Sequence, residues 1–345
     1  MFVSSDTNHG GARSTVEARV NSLLTGQAQY SLTDAAERAG MDQGLARMFW
    51  LAMGFPDIAD EVNDVIFTGY DVSVMRRHAD KLAAGELDSK TLNSLVRAQS
   101  YMADRLVLWQ LEALVEFAQN TFELDDVAAR YWLLDHIDEY LPFLEDQLKY
   151  AWRRHMAGFL RRSEVEADRR ALDSDNESMP LNRAIGFVDL VSFTPRSSEL
   201  GSKQLVSFVR NFEFACRDVI SSNGARLVKT VGDAVLYVAD SVEVGARVAT
   251  ELVATLGEID GMLPVKSAVV WGGVVSAFGD VFGPNVNLAS RLADAAPTGS
   301  ILIDRETVVE LNKSPQSRRY TISPYGEQHL DGVGQVETFE LWKRH

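Results

Sequence analysis

Asp189 closes the apolar run F-V-D-L-V-S-F-T (187–194), and Asp233 sits in the turn of V-K-T-V-G-D-A-V-L (228–236). A carboxylate at the mouth of a strand, followed by a turn whose backbone N–H groups point outward, suits a divalent cation with a phosphate beside it. Taken singly, Asp189 reads equally well as a turn or helix N-cap aspartate, and Gly232-Asp233 is an ordinary hairpin dipeptide. Together they say more. If their strands are neighbours, two carboxylates enter one small space and repel unless cations separate them. Two Mg²⁺ ions are the usual resolution at phosphoryl-transfer sites. The third motif, F-G-D-V-F-G-P-N-V-N-L-A-S-R-L (278–292), is a Gly-rich loop running into a helix. Asn287 and Arg291 are four apart and share a helix face. An amide and a guanidinium side by side match a developing negative charge on a phosphoryl group, although alone they read as a helix's polar side.

The elements that must position these groups follow from periodicity. After Leu181 the chain turns to short β-rich runs, Arg183–Val188, Arg226–Thr230, Ala234–Val238, Val265–Val270 and Ile301–Ile303. Helical patterns cover Gly201–Ser221, Val242–Leu256 and Val286–Ala295. A strand, helix, hairpin, helix, strand order implies an α+β sheet of ferredoxin-like type with helices on one face.

In their order and spacing, the three motifs resemble the class III nucleotide cyclases, the adenylate and guanylate cyclase family, over residues 181–345. The resemblance implies that Asp189 and Asp233 hold two Mg²⁺ or Mn²⁺ ions with the Leu190 carbonyl as a further ligand. It implies that Lys229 and Asp280 select the base, Asn287 orients the ribose and Arg291 stabilises the transition state at the α-phosphate. The Lys/Asp pair is that of the adenylate-specific members, so ATP is the expected substrate and cyclic AMP with pyrophosphate the expected products. A single copy of each motif implies a homodimer, because in the family the two sets face each other across two catalytic domains. Two positions depart from the pattern. Asp331 stands in H-L-D-G-V-G where many members carry a cation for the polyphosphate, and Gly273 stands in W-G-G-V where some carry an arginine. A weaker grip on ATP or a substitute cation is the expected consequence.

Residues 1–170 read differently. From Ser31 to about Tyr150 the chain is rich in Ala, Leu, Glu, Asp and Arg, with apolar residues every three or four positions. The stripe Leu92, Leu95, Val96, Met102, Leu106, Trp109, Leu111, Leu114, Val115 and Phe117 predicts a face buried against other helices, and a pocket lined by Trp109, Trp132 and Trp152 is the functional alternative. S-L-T-D-A-A-E-R-A-G (31–40) followed by A-R-M-F-W-L-A-M-G-F-P (46–56) has the look of a helix-turn-helix, but its second helix offers little beyond Gln43 and Arg47 for reading bases, so DNA binding is not expected. A connecting helix over about 141–170 carries Arg153, Arg154, Arg161, Arg162, Arg169 and Arg170. The polar, acidic stretch 171–180 reads as a linker. These segments, with R-R-H-M (153–156), resemble the helical regulatory domain of actinobacterial soluble adenylate cyclases, some of which respond to pH. His78, His136 and His155 all lie in this half, and imidazole changes charge near neutral pH. His155, on the arginine-rich helix, is the preferred sensor.

Composition sets the outer limits. The 345 residues carry a net charge of −15, of which residues 1–180 contribute −12 and 181–345 contribute −3, with 46% hydrophobic residues and one cysteine, Cys216. That is an ordinary globular composition without an intrachain disulfide. With no secretory leader pattern and no apolar run long enough to span a membrane, a cytoplasmic location is expected. The competing expectations are a guanylate cyclase, a catalytically silent nucleotide-binding module, and a helix-turn-helix regulator with a cyclase-like sensor.

Overall fold

The computed structural model describes residues 9–58, 64–172, 181–277 and 279–344. Within it the chain divides into two compact units that part after Arg170. Most of the expected linker (173–180) and Phe278 of the third motif lie outside the described residues.

The first unit is helical: α1 (His9–Leu23), α2 (Leu32–Ala39), α3 (Gln43–Ala52), α4 (Gly69–Ala83), α5 (Ser89–Phe122) and α6 (Asp126–Leu172). Local chemistry sets the ends. Ser31 with Asp34 and Thr68 with Asp71 close capping boxes at α2 and α4, and Gly40 ends α2 at φ 68°, a conformation that a Cβ disfavours. The α2–α3–α4 group packs on Ala35, Ala46, Phe67 and Met75. The α2–α3 pair matches the expected helix-turn-helix outline, but its polar groups are engaged within the unit. The Gln43 amide donates to Thr33 Oγ1 at 3.0 Å, and the Arg47 guanidinium pairs with Asp57 at 2.8 and 3.0 Å.

Three expectations for this unit need correction. The α5 stripe is not uniformly buried. Val96 and Val115 are enclosed, whereas Leu95, Met102, Trp109 and Phe117 are exposed, because α5 and α6 meet only along a short seam at Val115, Ala118, Ala129 and Leu133. Nor is there a three-tryptophan pocket, since Trp109 and Trp152 are exposed and only Trp132 joins an aromatic group, with Phe117, Phe122 and His136. The connecting helix is longer than 141–170. It is the second half of a 47-residue α6 that passes through Pro142 without ending, carried by helix formers on either side. No helix among the described residues is long and apolar enough to cross a membrane.

The second unit is α+β: β1 (Leu181–Leu190), α7 (Phe193–Glu199), α8 (Ser202–Ser222), β2 (Arg226–Val231), β3 (Ala234–Ala239), α9 (Val242–Glu258), β4 (Val265–Ala277), β5 (Asp280–Phe282), α10 (Pro284–Ala295), β6 (Ile301–Asp304), α11 (Arg305–Lys313), β7 (Tyr320–Leu330) and β8 (Gly334–Lys343). The sheet order is β2-β3-β1-β4-β6-β8-β7, with β5 on β4. Its first half is the expected ferredoxin-like β-α-β-β-α-β unit. Helices, however, cover both faces rather than one. Leu236 and Val238 of β3 pack towards Ala289 and Leu292 of α10, whereas Val235 and Tyr237 pack towards Phe212 of α8 and Leu252 of α9. The reason is legible in β3 itself, A-V-L-Y-V-A, a strand apolar on both faces that needs cover on both. Close approach is bought with glycine. A Cβ at Gly186 would lie 2.0 Å from the buried Tyr237 ring, whose hydroxyl donates to the Gly245 carbonyl at 3.0 Å.

Candidate active site

Asp189 lies near the end of β1, between β3 and β4 in the sheet, with Ala234 opposite on β3 and Lys266 opposite on β4. The two-residue turn before β3 places Asp233 beside it. Gly232 takes φ 62°, and the Leu190 N–H donates to the Asp233 carbonyl at 3.1 Å. Burial pushes the Asp189 carboxyl above its ordinary value, the Asp233 charge adds to the effect, and the Lys266 ammonium at 3.3 Å opposes it. A cavity of about 410 Å³ opens over these groups, lined by Asp189, Leu190, Asp233 and Lys266, the turn Val191–Ser192 with the start of α7, and Ala296–Thr298.

Two carboxylates and a carbonyl suit an ion that keeps waters and substrate phosphates as its other ligands, which is how Mg²⁺ is usually held. Among the described residues no cluster of three or more His, Cys, Asp or Glu side chains forms a closed cation cage. The donor set fits an open, partly hydrated divalent-cation site.

Lys229 and Asp280 come together on the adjoining edge. A bulge between Leu227 and Lys229 re-aims β2 so that Lys229 Nζ reaches Asp280 Oδ2, at the start of β5, at 2.5 Å. Burial raises the Asp280 carboxyl, but the Lys229 ammonium and the Val281 N–H outweigh it and hold the group below the usual carboxylate range. Asn287 and Arg291 lie on the exposed side of α10, opposite the buried Ala289, Leu292 and Ala293. Arg291 Nη1 is 3.3 Å from Asp294 Oδ2.

The structure thus gathers Asp189, Leu190 and Asp233 around one cavity and pairs Lys229 with Asp280. It leaves Asn287 and Arg291 off that cavity's wall. Asp331 is exposed in the turn between β7 and β8. The group that sequence reasoning missed is Lys266. In V-K-S-A it is one lysine at a strand start, and only the β1/β4 register sets it against Asp189.

The three histidines occupy different environments. His78 on α4 is half-buried edge-on to Phe49 at 4.9 Å, its Nδ1 buried without a hydrogen-bond partner; burial and then the Arg77 charge push its pKa down. The His136 ring stacks on Trp132 at 4.6 Å, with Nδ1 2.8 Å from the Trp132 carbonyl oxygen. His155 is exposed on α6, as are Arg153, Arg154 and Arg161.

Comparison with known proteins bears on the whole chain. Residues 265–343 match the family model for the adenylate and guanylate cyclase catalytic domain. An adenylate cyclase of Glutamicibacter nicotianae is 35% identical over 337 residues, which cover 95% of this chain and 82% of the relative. An adenylate cyclase of Streptomyces coelicolor is 31% identical over 353 residues, covering 94% and 89%. A pH-sensitive adenylate cyclase of Mycobacterium tuberculosis is 26% identical over 318 residues, covering 90% and 77%. With helical and α+β units both inside these matches, the chain belongs to the adenylate and guanylate cyclase family.

Proposed function

We propose that the chain is an adenylate cyclase that converts ATP to 3′,5′-cyclic AMP and pyrophosphate at sites completed by a second copy of itself. The observation that carries this reading is the separation just described: the carboxylate pair lines a cavity, while Asn287 and Arg291 face outward from α10. Each half lacks what the other offers. In a two-fold dimer each cavity would receive the α10 face of the partner copy, giving two equivalent sites.

Asp189, Asp233 and the Leu190 carbonyl would hold two Mg²⁺ or Mn²⁺ ions. Bound there, the ions supply a lowered pKa for the ribose 3′-hydroxyl and neutralise phosphate charge. The chain's own groups do the rest. Lys266, on the cavity wall and paired with Asp189, is the substitute cation for the polyphosphate that Asp331 and Gly273 do not provide. Lys229 and Asp280, already paired, offer adenine a donor for N1 and an acceptor for the N6 amino group. Asn287 orients the ribose so that O3′ faces the α-phosphorus, and Arg291 meets the charge that develops there as pyrophosphate leaves.

The helical unit is the regulator in this reading, and pH is its signal. The kinship with a cyclase named pH-sensitive supports it, as does the buried, partnerless Nδ1 of His78. His155 and His136 complete the candidate set. Replacing all three should flatten the pH–activity profile of the full chain, and an unchanged profile would sink this part of the reading.

The activity itself is tested by incubating the full chain with Mn²⁺ and either ATP or GTP, with an Asp233→Ala control. The reading predicts cyclic AMP from ATP that vanishes in the control. ATP binding to a dimer without product would favour the silent nucleotide-binding module, and cyclic GMP as the main product would favour a guanylate cyclase.

A further inference from the structure

Asn285 is the second residue of α10, two before Asn287, yet it lies on the helix's other side. Its side chain turns inward to β4, where Nδ2 donates to the Gly273 carbonyl at 3.0 Å. The carboxamide lies so close over Gly272 that a Cβ there would stand 2.3 Å from Nδ2 and 2.5 Å from Cγ. Gly283, at φ 142°, brings the helix entry onto the same Gly273 carbonyl, which a Cβ on it would meet at 3.5 Å. This stretch of β4 is itself anchored. The Trp271 N–H donates to Thr307 Oγ1 at 2.7 Å, and the Thr307 hydroxyl and N–H both donate to the buried Asp304 carboxylate.

We infer that Asn285 is a positioning residue that fixes the rotation and height of α10 on β4, so that Asn287 and Arg291 meet the nucleotide at the required angle. The inference rests on the roles assigned to Asn287 and Arg291 under Proposed function. An apolar side chain would suffice for packing at this inward position, as Ala289 and Leu292 show one and two turns later. A directional amide, seated on a glycine that leaves room for nothing else, defines one register. Misplacement by about 1 Å at a reacting group costs on the order of a hundredfold in rate, so a small tilt of α10 has a large effect.

The test uses the full chain with Mn²⁺ and ATP, and reads kcat, KM for ATP and melting temperature for Asn285→Ala, Asn285→Asp, Gly272→Ala and the double variant Gly272→Ala/Asn285→Ala. Asn285→Ala should lower kcat by about 10- to 100-fold with little change in KM, the signature of an interaction realised at the transition state. Asn285→Asp keeps the shape but removes the donor at neutral pH. Its activity relative to the wild type should be low at pH 8 and rise as acidification returns an O–H donor. Gly272→Ala should act by displacing Asn285, so adding Asn285→Ala to it should cost little more. Asn285 variants with wild-type kcat, losses that track only a lowered melting temperature, or additive effects in the double variant would each overturn the inference. Arg291→Ala, run in parallel, separates the two claims. If Arg291→Ala is inactive while the Asn285 variants are normal, only the positioning role fails. If Arg291→Ala keeps full activity, or the wild type makes no product, the reading beneath it fails as well.

Discussion

The two units solve the problem of burying apolar surface in opposite ways. In the α+β unit, β3 is closed in on both faces; Gly186 leaves room for the Tyr237 ring, and Gly245 lets α9 approach β1, where a Cβ would stand 2.4 Å from Ala184 Cβ. In the helical unit α5 and α6 share a seam of few residues and leave Trp109 at 59%, Phe143 at 66% and Trp152 at 58% exposure. Charge follows the same division. Asp189, Leu190 and Asp233 share one cavity and Lys229 pairs with Asp280, with Asn287 and Arg291 apart on α10, whereas His78, His136 and His155 sit in three unrelated surroundings. A sheet covered on both sides makes an accurate platform for chemistry. Long helices with thin cores are better suited to changing state than to holding atoms still.

The sharpest way to break this contrast is to attack the platform's chemistry without its packing. Asp233→Ala should reduce cyclic nucleotide formation by about a thousandfold or more, since it removes one of two metal-binding carboxylates. Melting temperature should hold or rise, because a like charge that adds to the effect of burial on the Asp189 carboxyl is removed. A collapse in melting temperature would show that Asp233 is a structural turn residue instead.

Next in size is base choice. Lys229→Ala should lower kcat/KM for ATP by about tenfold or more, the loss of one charged hydrogen bond at a recognition site. Discrimination between ATP and GTP should weaken with it. An unchanged ratio of the two nucleotides would remove the Lys229–Asp280 pair from substrate selection.

Packing gives a paired comparison between units. Gly186→Ala should destabilise by about 1–3 kcal/mol in denaturant unfolding, because a Cβ would meet the Tyr237 ring at 2.0 Å in a filled core. Trp109→Ser, at an exposed position, should stay within about 0.5 kcal/mol. A large loss from Trp109→Ser would show that this face is covered in solution and would erase the contrast.

The smallest effect is the acid side of the helical unit. His78 has its pKa held down in the fold, so above about pH 6.5 both folded and unfolded states carry it neutral and it has no effect on stability. Below that value the unfolded chain binds the proton first, and stability falls as pH falls. His78→Phe should make the drop in melting temperature between pH 7 and 5 smaller than in the wild type. An identical drop in the variant would mean that other groups dominate.

Much of the α+β unit is legible in the sequence, because its motifs are local. Asp189, Gly232-Asp233 and Asn287 with Arg291 each sit in a short segment whose strand, turn or helix spacing is distinctive, and the five expected strands and three helices are present. What escaped was non-local. Lys266 meets Asp189 only through the β1/β4 register, Asn285 covers a glycine on another element, and the β7–β8 pairing shifts at Pro324 and Gly326, which breaks the strand pattern. Two-sided helix cover could have been inferred from the unbroken apolar run of β3. In the helical unit periodicity located an apolar face on α5 but could not say what, if anything, lies against it.

The central claim is that each active site takes its metal-binding carboxylates from one copy and Asn287 with Arg291 from another. Mixing is its most direct test. Asp233→Ala and Arg291→Ala chains, each inactive alone, are combined in equal amounts, allowed to exchange subunits and assayed for cyclic AMP. A mixed dimer would contain one site with both defects and one with neither, so activity should recover to roughly a quarter of the wild-type level. Two active-site halves supplied by the same chain would give no recovery at any mixing ratio, and that result would contradict the account.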